Sequence, residues 1–193
     1  MPKIIAVSKT FEEKDIIPLV EYGHDHFGEN KVQEAFRKWS KIRALKKDFN
    51  LHLIGNLQSN KVKTAVSIFD YIHSLDSLKL AEKIAKEQNL QKKKLKLFIQ
   101  VNIGNEPQKS GINESELSDL IIFCKDLNLD IIGLMCIPPN DQNSIKYFKK
   151  MNELNNKFNL TELSMGMSSD YLNAIKNSAT YVRIGTNIFG QRN

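Results

Sequence analysis

Eight short apolar runs alternate with segments of helical periodicity along almost the whole chain, and that alternation is the strongest constraint on what it can fold into. The runs are KIIAVS (3–8), HDHFG (24–28), LHLIG (51–55), FDYIHSL (69–75), LKLFIQVNI (95–103), DIIGLMC (130–136), LTELSMG (160–166) and ATYVRIG (179–185). Most are near-continuous apolar stretches rich in β-branched and aromatic residues, the pattern of parallel strands covered on both faces. Between them, Leu78, Ala81, Ile84 and Ala85, then Leu117, Leu120, Ile121 and Cys124, then Ile145, Phe148, Met151 and Leu154 recur at helical spacing. Asp76 and Asn113 stand where a polar side chain can cap a helix start. Strand and helix in alternation predict a parallel sheet, and eight βα units predict its closure into one (β/α)8 TIM-type barrel. With 193 residues against the roughly 250 typical of that fold, the loops are expected to be short and residues 1–193 to form a single domain.

Composition narrows the function classes. A content of 41% hydrophobic and 26% charged residues is that of a globular protein rather than a disordered or fibrous one. No apolar run approaches the ~18 residues needed to cross a bilayer, and the apolar part of MPKIIAVSKT is too short for a signal peptide, so a cytoplasmic location is expected. Cys124 and Cys136 lie inside apolar stretches and read as buried thiols rather than a disulfide framework. The net charge is +6, but the lysines are dispersed, and no cationic stripe interleaved with aromatics marks a nucleic-acid surface. Lys92, Lys93 and Lys94 read as the solvated end of a helix and the loop before a strand.

In barrels of this kind the chemistry sits where strands end at the C-terminal mouth. The residues closing the eight runs are Lys9; Gly28, Glu29 and Asn30; Gly55 and Asn56; Ser74; Asn102; Pro138 and Pro139; Ser164, Met165 and Gly166; and Arg183 to Thr186. A lysine at the end of an apolar strand is partly desolvated, which disfavours its charged form and frees the amine to form a Schiff base with a carbonyl. SMGMSSDY (164–171) and IGTNIFG (184–190) follow the last two strands, where barrels frequently bind phosphate through backbone N–H groups. Arg183, between Val182 and Ile184, falls on the interior side of its strand, where a guanidinium needs a ligand or an interior carboxylate. Lysine, phosphate-binding loops and arginine together describe a site for a phosphorylated aldehyde.

Other polar residues have plainer readings. His24, His26, His52 and His73 fit no zinc spacing and are read as core or rim packing, with no metal expected. Glu29 and Glu34 are read as carboxylates near a helix start, and Trp39 as a residue packing a helix on the barrel.

AVSKT (6–10), FGENKVQEA (27–35), HLIGNLQSNK (52–61), HSLDS (73–77), VNIGNEPQKSG (101–111), GLMCIPP (133–139), SMGMSSDY (164–171) and VRIGTNIFG (182–190) together resemble the pyridoxal phosphate homeostasis proteins, or proline synthase co-transcribed proteins. These are related to the N-terminal barrel of alanine racemases. The resemblance implies a fold-type III barrel binding pyridoxal 5′-phosphate (PLP), with Lys9 as the Schiff-base lysine. It implies Ser164, Met165, Gly185 and Thr186 around the phosphate, Arg183 facing the pyridine nitrogen and Asn30 near the ring. It further implies a monomeric carrier in vitamin B6 homeostasis that supplies PLP to apo-enzymes, with no substantial catalysis.

The alternative is a weakly active, racemase-like PLP enzyme acting on amino acids. Racemases carry a second, β-rich domain that provides a tyrosine as acid/base partner, and no such segment follows the eighth unit here. Relatives also begin with a helix ahead of the first strand, whereas AVSKT comes almost at once in this chain. An uncovered stretch of barrel wall is the expected consequence.

Overall fold

The computed structural model describes residues 1–44, 48–140 and 143–191. Eight strands, β1 (Lys3–Val7), β2 (His26–Glu29), β3 (Asn50–Leu53), β4 (Tyr71–Leu75), β5 (Lys96–Gln100), β6 (Asp130–Met135), β7 (Glu162–Met167) and β8 (Tyr181–Ile184), pair in chain order, all parallel. β8 returns to β1 in the register Ile4↔Val182 and Ala6↔Ile184, closing the barrel the sequence predicts.

Helices α1 (Glu13–Glu21), α2 (Val32–Arg43), α3 (Val62–Ile68), α4 (Leu78–Gln91), α5 (Leu117–Asp126), α6 (Ser144–Lys157), α7 (Tyr171–Lys176) and α8 (Thr186–Phe189) follow the strands in turn. α5 buries Leu117, Leu120, Ile121 and Cys124, the stripe expected of it. In α4 the buried apolar residues are Leu80, Ala81, Ile84 and Ala85, joined by Gln88, while Leu78 is about half exposed. In α6 Phe148, Met151 and Leu154 are buried and Ile145 is exposed. Leu78 and Ile145 both stand in the first turn, and each apolar stripe begins after them. The cap of α4 is Ser77, whose hydroxyl accepts from Leu80 N–H, rather than Asp76. Burial raises the Asp76 pKa, against hydrogen bonds from the Gly111 backbone, its own backbone and Ser77. Asn113 makes no cap bond either; its amide donates to Glu116 Oε2 at 3.0 Å. The expectation of short loops fails between Val101 and Asn113. There the apolar Val101 and Ile103 continue past β5 as a loop, tied back where Asn102 pairs with both the N–H and the carbonyl of Glu106.

Outside the strands, Trp39 is wholly buried between Phe27 and Phe49, each with ring centroids 4.9 Å from its own. The interior is less uniformly apolar than the periodicity suggests. Ile5, Phe98 and Met135 share it with Tyr71 and Tyr181, whose hydroxyls accept from Lys96 and Lys3, and with three histidines. His52 stacks on Tyr71 at 4.1 Å and His73 on Phe98 at 4.3 Å. Among the described residues no helix is long and apolar enough to cross a membrane. Cys124 and Cys136 are free and buried, and burial pushes both thiols up to about 12.

Candidate functional site

A cavity of ≈ 310 Å³ opens at the C-terminal mouth of the barrel, lined by Val7, Lys9, Asn30, Ile54, Ile137, Met167, Ser168, Ser169, Arg183, Gly185 and Thr186. That volume is at the small end of ligand sites, which run from about 300 to 1,000 Å³. A larger groove of ≈ 1010 Å³ runs between α1 and α2, but its walls are mostly charged and partly satisfied by pairs such as Lys41 with Glu13 at 2.8 Å. The mouth cavity has the converging polar groups over an apolar floor that a specific ligand needs.

Lys9 is half-buried and follows β1 after the single residue Ser8. Its turn is held from behind the barrel wall. Glu29, fully buried at the end of β2, accepts on one oxygen from Ser8 Oγ (2.7 Å), Trp39 Nε1 (2.9 Å) and Lys38 Nζ (2.7 Å). Lys38, from α2, also donates to the carbonyls of Ser8 (2.8 Å) and Phe11 (3.1 Å). Glu34 accepts from Thr10 N–H at 2.7 Å. Thr10 itself sits at φ 69, a left-handed conformation that a β-branched residue adopts only where surrounding contacts impose it. The two glutamates are therefore clamps on the Lys9 turn. Glu34 does lie in the first turn of α2, as read from sequence, whereas Glu29 belongs to the strand.

Asn30 reaches the cavity because Gly55 lets two loops touch: a Cβ there would lie 2.3 Å from the Asn30 carbonyl oxygen. Arg183 is 4% exposed and donates through Nη1 to Ser164 Oγ (2.8 Å) and through Nη2 to the Cys136 carbonyl (2.9 Å). Among the described residues no carboxylate lies within ion-pair distance of it, so the interior carboxylate weighed as its partner is not found. Burial draws its pKa down, opposed by Cys136 and Asp170, and a guanidinium so placed stays charged. Gly185 and Thr186 lead into α8, and Ser168 and Ser169 occupy the turn before α7. Among the described residues, no backbone hydrogen bond takes up the N–H groups of Ser168, Ser169, Gly185 or Thr186.

Of the residues singled out in the sequence, Lys9, Asn30, Arg183, Gly185 and Thr186 thus come together around one cavity. Ser164 and Met165 do not line it. Ser164 is wholly buried beneath Arg183, and Met165 packs in the apolar layer outside the strands. The β7 end reaches the cavity through Met167, Ser168 and Ser169, which the choice of strand-closing residues stopped short of because β7 runs on to Met167. Ser74, Asn102, Pro138 and Pro139 are likewise not part of its lining.

The histidines also hold more than packing. His26 Nδ1 lies 2.8 Å from His52 Nε2, His52 Nδ1 2.9 Å from His73 Nε2, and His73 Nδ1 2.8 Å from Ser164 Oγ. His52 and His73 are fully buried, as a core reading requires, yet they join Arg183 to the far end of the barrel. The available signal was a histidine on the interior parity of three consecutive strands. Among the described residues, no group of three histidine, cysteine or acidic side chains is disposed to hold a metal ion.

A parallel barrel carrying a lysine after its first strand and an arginine on its last defines a class of lysine-bearing TIM-type barrels. The family model for the alanine racemase N-terminal domain matches residues 1–193, and the chain belongs to that family. It is 38% identical over 200 residues to the pyridoxal phosphate homeostasis protein of Aquifex aeolicus (strain VF5), covering 98% of this chain and 87% of that one. Among solved structures it is similar to PipY of Synechococcus elongatus PCC7942 without PLP, with a TM-score of 0.91, 38% identity and coverage of 98% and 93%. The PLP-bound structure of PipY gives a TM-score of 0.91 at 36% identity, covering 98% and 92%.

Proposed function

We propose that the mouth cavity holds PLP on Lys9 and that the protein serves PLP homeostasis as a carrier rather than as a dedicated enzyme. The observation that carries this reading is the meeting of Lys9, Arg183 and the Ser168, Ser169, Gly185 and Thr186 donors around one cavity of ligand size. The relatives named for PLP homeostasis and the PLP-bound PipY support it.

The donor set fits the cofactor group by group. Lys9 supplies an amine for the aldehyde, positioned by the Glu29–Lys38 clamp. The hydroxyls and N–H groups after β7 and β8 suit a phosphate, and Asn30 offers an amide to the ring substituents. Arg183, which can only donate, suits the ring nitrogen and discourages its protonation. When bound, PLP supplies an electron sink for carbanions beside its imine, and an arginine at the ring nitrogen weakens that sink. Among the described lining residues, Lys9 is the basic side chain able to give up a proton, since a guanidinium such as that of Arg183 keeps its own. Proton transfer on both faces of a substrate would lack the partner worth about 10²–10⁴-fold.

We take residues 1–193 to be one domain, acting as a monomer of 22.1 kDa that hands PLP to apo-enzymes. The two free, buried thiols suit a reducing compartment, and we place the protein in the cytoplasm.

The test is the absorbance spectrum of the protein with PLP, followed by borohydride reduction and peptide mapping. Wild type should show a visible band and a label on Lys9, and Lys9→Ala should lose both. Identical behaviour of the two proteins would remove Lys9 from the site, and a clear rate of alanine racemisation by wild type would overturn the carrier reading.

A further inference from the structure

The three interior histidines form a chain whose direction is set at both ends. His52 and His73 each use both ring nitrogens and His26 its Nδ1: His26 to His52, His52 to His73, and His73 to Ser164, at 2.8, 2.9 and 2.8 Å. A neutral imidazole has one donor and one acceptor, so an unbroken chain of them runs one way or the other. At the mouth, Arg183 can only donate, and it donates to Ser164 Oγ. The serine proton is then free to point at His73 Nδ1. At the other end, His26 Nε2 lies 3.8 Å from Asp25 Oδ2, a carboxylate that favours the proton on that nitrogen. Both ends select one direction, from Ser164 O–H to His73 Nδ1, from His73 Nε2–H to His52 Nδ1, and from His52 Nε2–H to His26 Nδ1. The reverse chain would aim an imidazole N–H at the oxygen already facing the guanidinium, and would set a lone pair of His26 against Asp25.

We propose that His73, His52 and His26 are positioning residues for Arg183, a one-way chain of Nε2–H imidazoles that keeps the Ser164 hydroxyl turned from the guanidinium and so holds Arg183 at the cavity. No carboxylate lies within ion-pair distance of Arg183 among the described residues, so beyond the more distant Asp170 its burial is offset by a row of dipoles with their negative ends toward it. Ser164 and the Cys136 carbonyl take up an N–H on Nη1 and another on Nη2, out of the five a guanidinium carries. The side chain is thereby fixed while further donors remain for the cavity that it lines. The histidines lie outside the cavity lining and act only through Ser164.

This inference rests on the proposed function only where it concerns PLP, and the first two measurements do not need the cofactor. In ¹⁵N-histidine-labelled wild type, ring-nitrogen NMR at pH 7.5 should show His26, His52 and His73 as Nε2–H tautomers; Nδ1–H on His52 or His73 overturns the chain. Separate guanidinium N–H signals of Arg183 should be seen in wild type, collapse in His73→Leu and return in His73→Asn, whose side-chain oxygen can still accept from Ser164. Signals unchanged in His73→Leu overturn the positioning role. With PLP, His73→Leu should bind about tenfold to a hundredfold more weakly, as expected for loosening a hydrogen bond to a charged group, and His73→Asn should recover most of that loss. Equal affinity and an unshifted visible band in His73→Leu also overturn the positioning role. A wild type that shows no PLP band sinks the proposed function instead, and the two NMR measurements still decide the chain.

Discussion

Among the described residues two cations, Lys38 and Arg183, are buried within this barrel, and they are stabilised in opposite ways. Lys38 lies outside the strand layer, 2.7 Å from the buried carboxylate of Glu29, with two main-chain carbonyls taking further N–H groups. Arg183 lies inside, 4% exposed, bonded only to neutral oxygens on Ser164 and Cys136. A charge neutralised by its own carboxylate is a structural clamp, here on the turn that presents Lys9. A charge bonded only to neutral dipoles, with no carboxylate paired to it, stays available to a ligand. The difference teaches that burial by itself does not mark a functional cation; the nature of its partner does.

The comparison is broken or upheld most sharply by removing each charge. Lys38→Met leaves Glu29 buried and uncompensated and frees the Ser8 and Phe11 carbonyls, so a loss of about 3–5 kcal/mol is expected in denaturant unfolding. Arg183→Met strands no paired carboxylate and frees only the Cys136 carbonyl, while Ser164 keeps His73 as its partner, so it should cost about 1–3 kcal/mol, less than Lys38→Met, while PLP binding falls. Comparable losses of stability in the two variants would show that Arg183 is a structural cation too.

Acid sharpens the same contrast, because the chain that faces Arg183 has to stay neutral. Burial lowers the His52 pKa well below its ordinary value, helped by His73, His26, Lys3 and Lys96; burial, Arg183 and His26 do the same for His73. A histidine whose folded pKa is depressed binds fewer protons than its unfolded counterpart, so stability is fully present above the unfolded value near 6.5 and is lost as pH falls below it. Two such rings give a slope of up to about 2.7 kcal/mol per pH unit in that window. Unfolding free energies between pH 7.5 and 5 should show this slope in wild type and roughly half of it in His52→Phe. A flat profile through pH 6 would mean that the rings titrate alike folded and unfolded.

The sequence exposed these features unevenly. Strand count and closure were legible because a barrel buried on both faces leaves continuous apolar runs, and Lys9 and Arg183 stood out as charges at the ends of such runs. Ser168 and Ser169 lay inside the segment 164–171 read as a phosphate loop but were not singled out within it, because the exposed Met167 still belongs to β7. The Glu29–Lys38 clamp joins a strand to the buried face of a helix, and the histidine chain joins residues 26, 21 and 91 positions apart. Periodicity in a local window carries no information about either. What it does carry is parity, and three histidines on interior positions are the trace the chain leaves there.

The smallest effect concerns the start of α4, where the sequence puts the cap on Asp76 and the structure puts it on the next residue, Ser77. Asp76 and Ser77 both precede α4, and either side chain could accept from its first turn. Ser77 does so, through a bond to Leu80 N–H of 3.4 Å, long enough to be weak. Asp76 lies half-buried and accepts from the Gly111 backbone in the loop after β5, so its carboxylate ties two mouth loops together rather than ending a helix. Ser77→Ala should therefore cost about 0.5–1 kcal/mol, the lower part of the range for a lost cap, with PLP affinity unchanged. Asp76→Ala should destabilise more and raise hydrogen exchange in the loop from Val101 to Asn113. If instead Ser77→Ala is the costlier change, Asp76 contributes little to the mouth, and the loop after β5 is held by its internal Asn102 bonds alone.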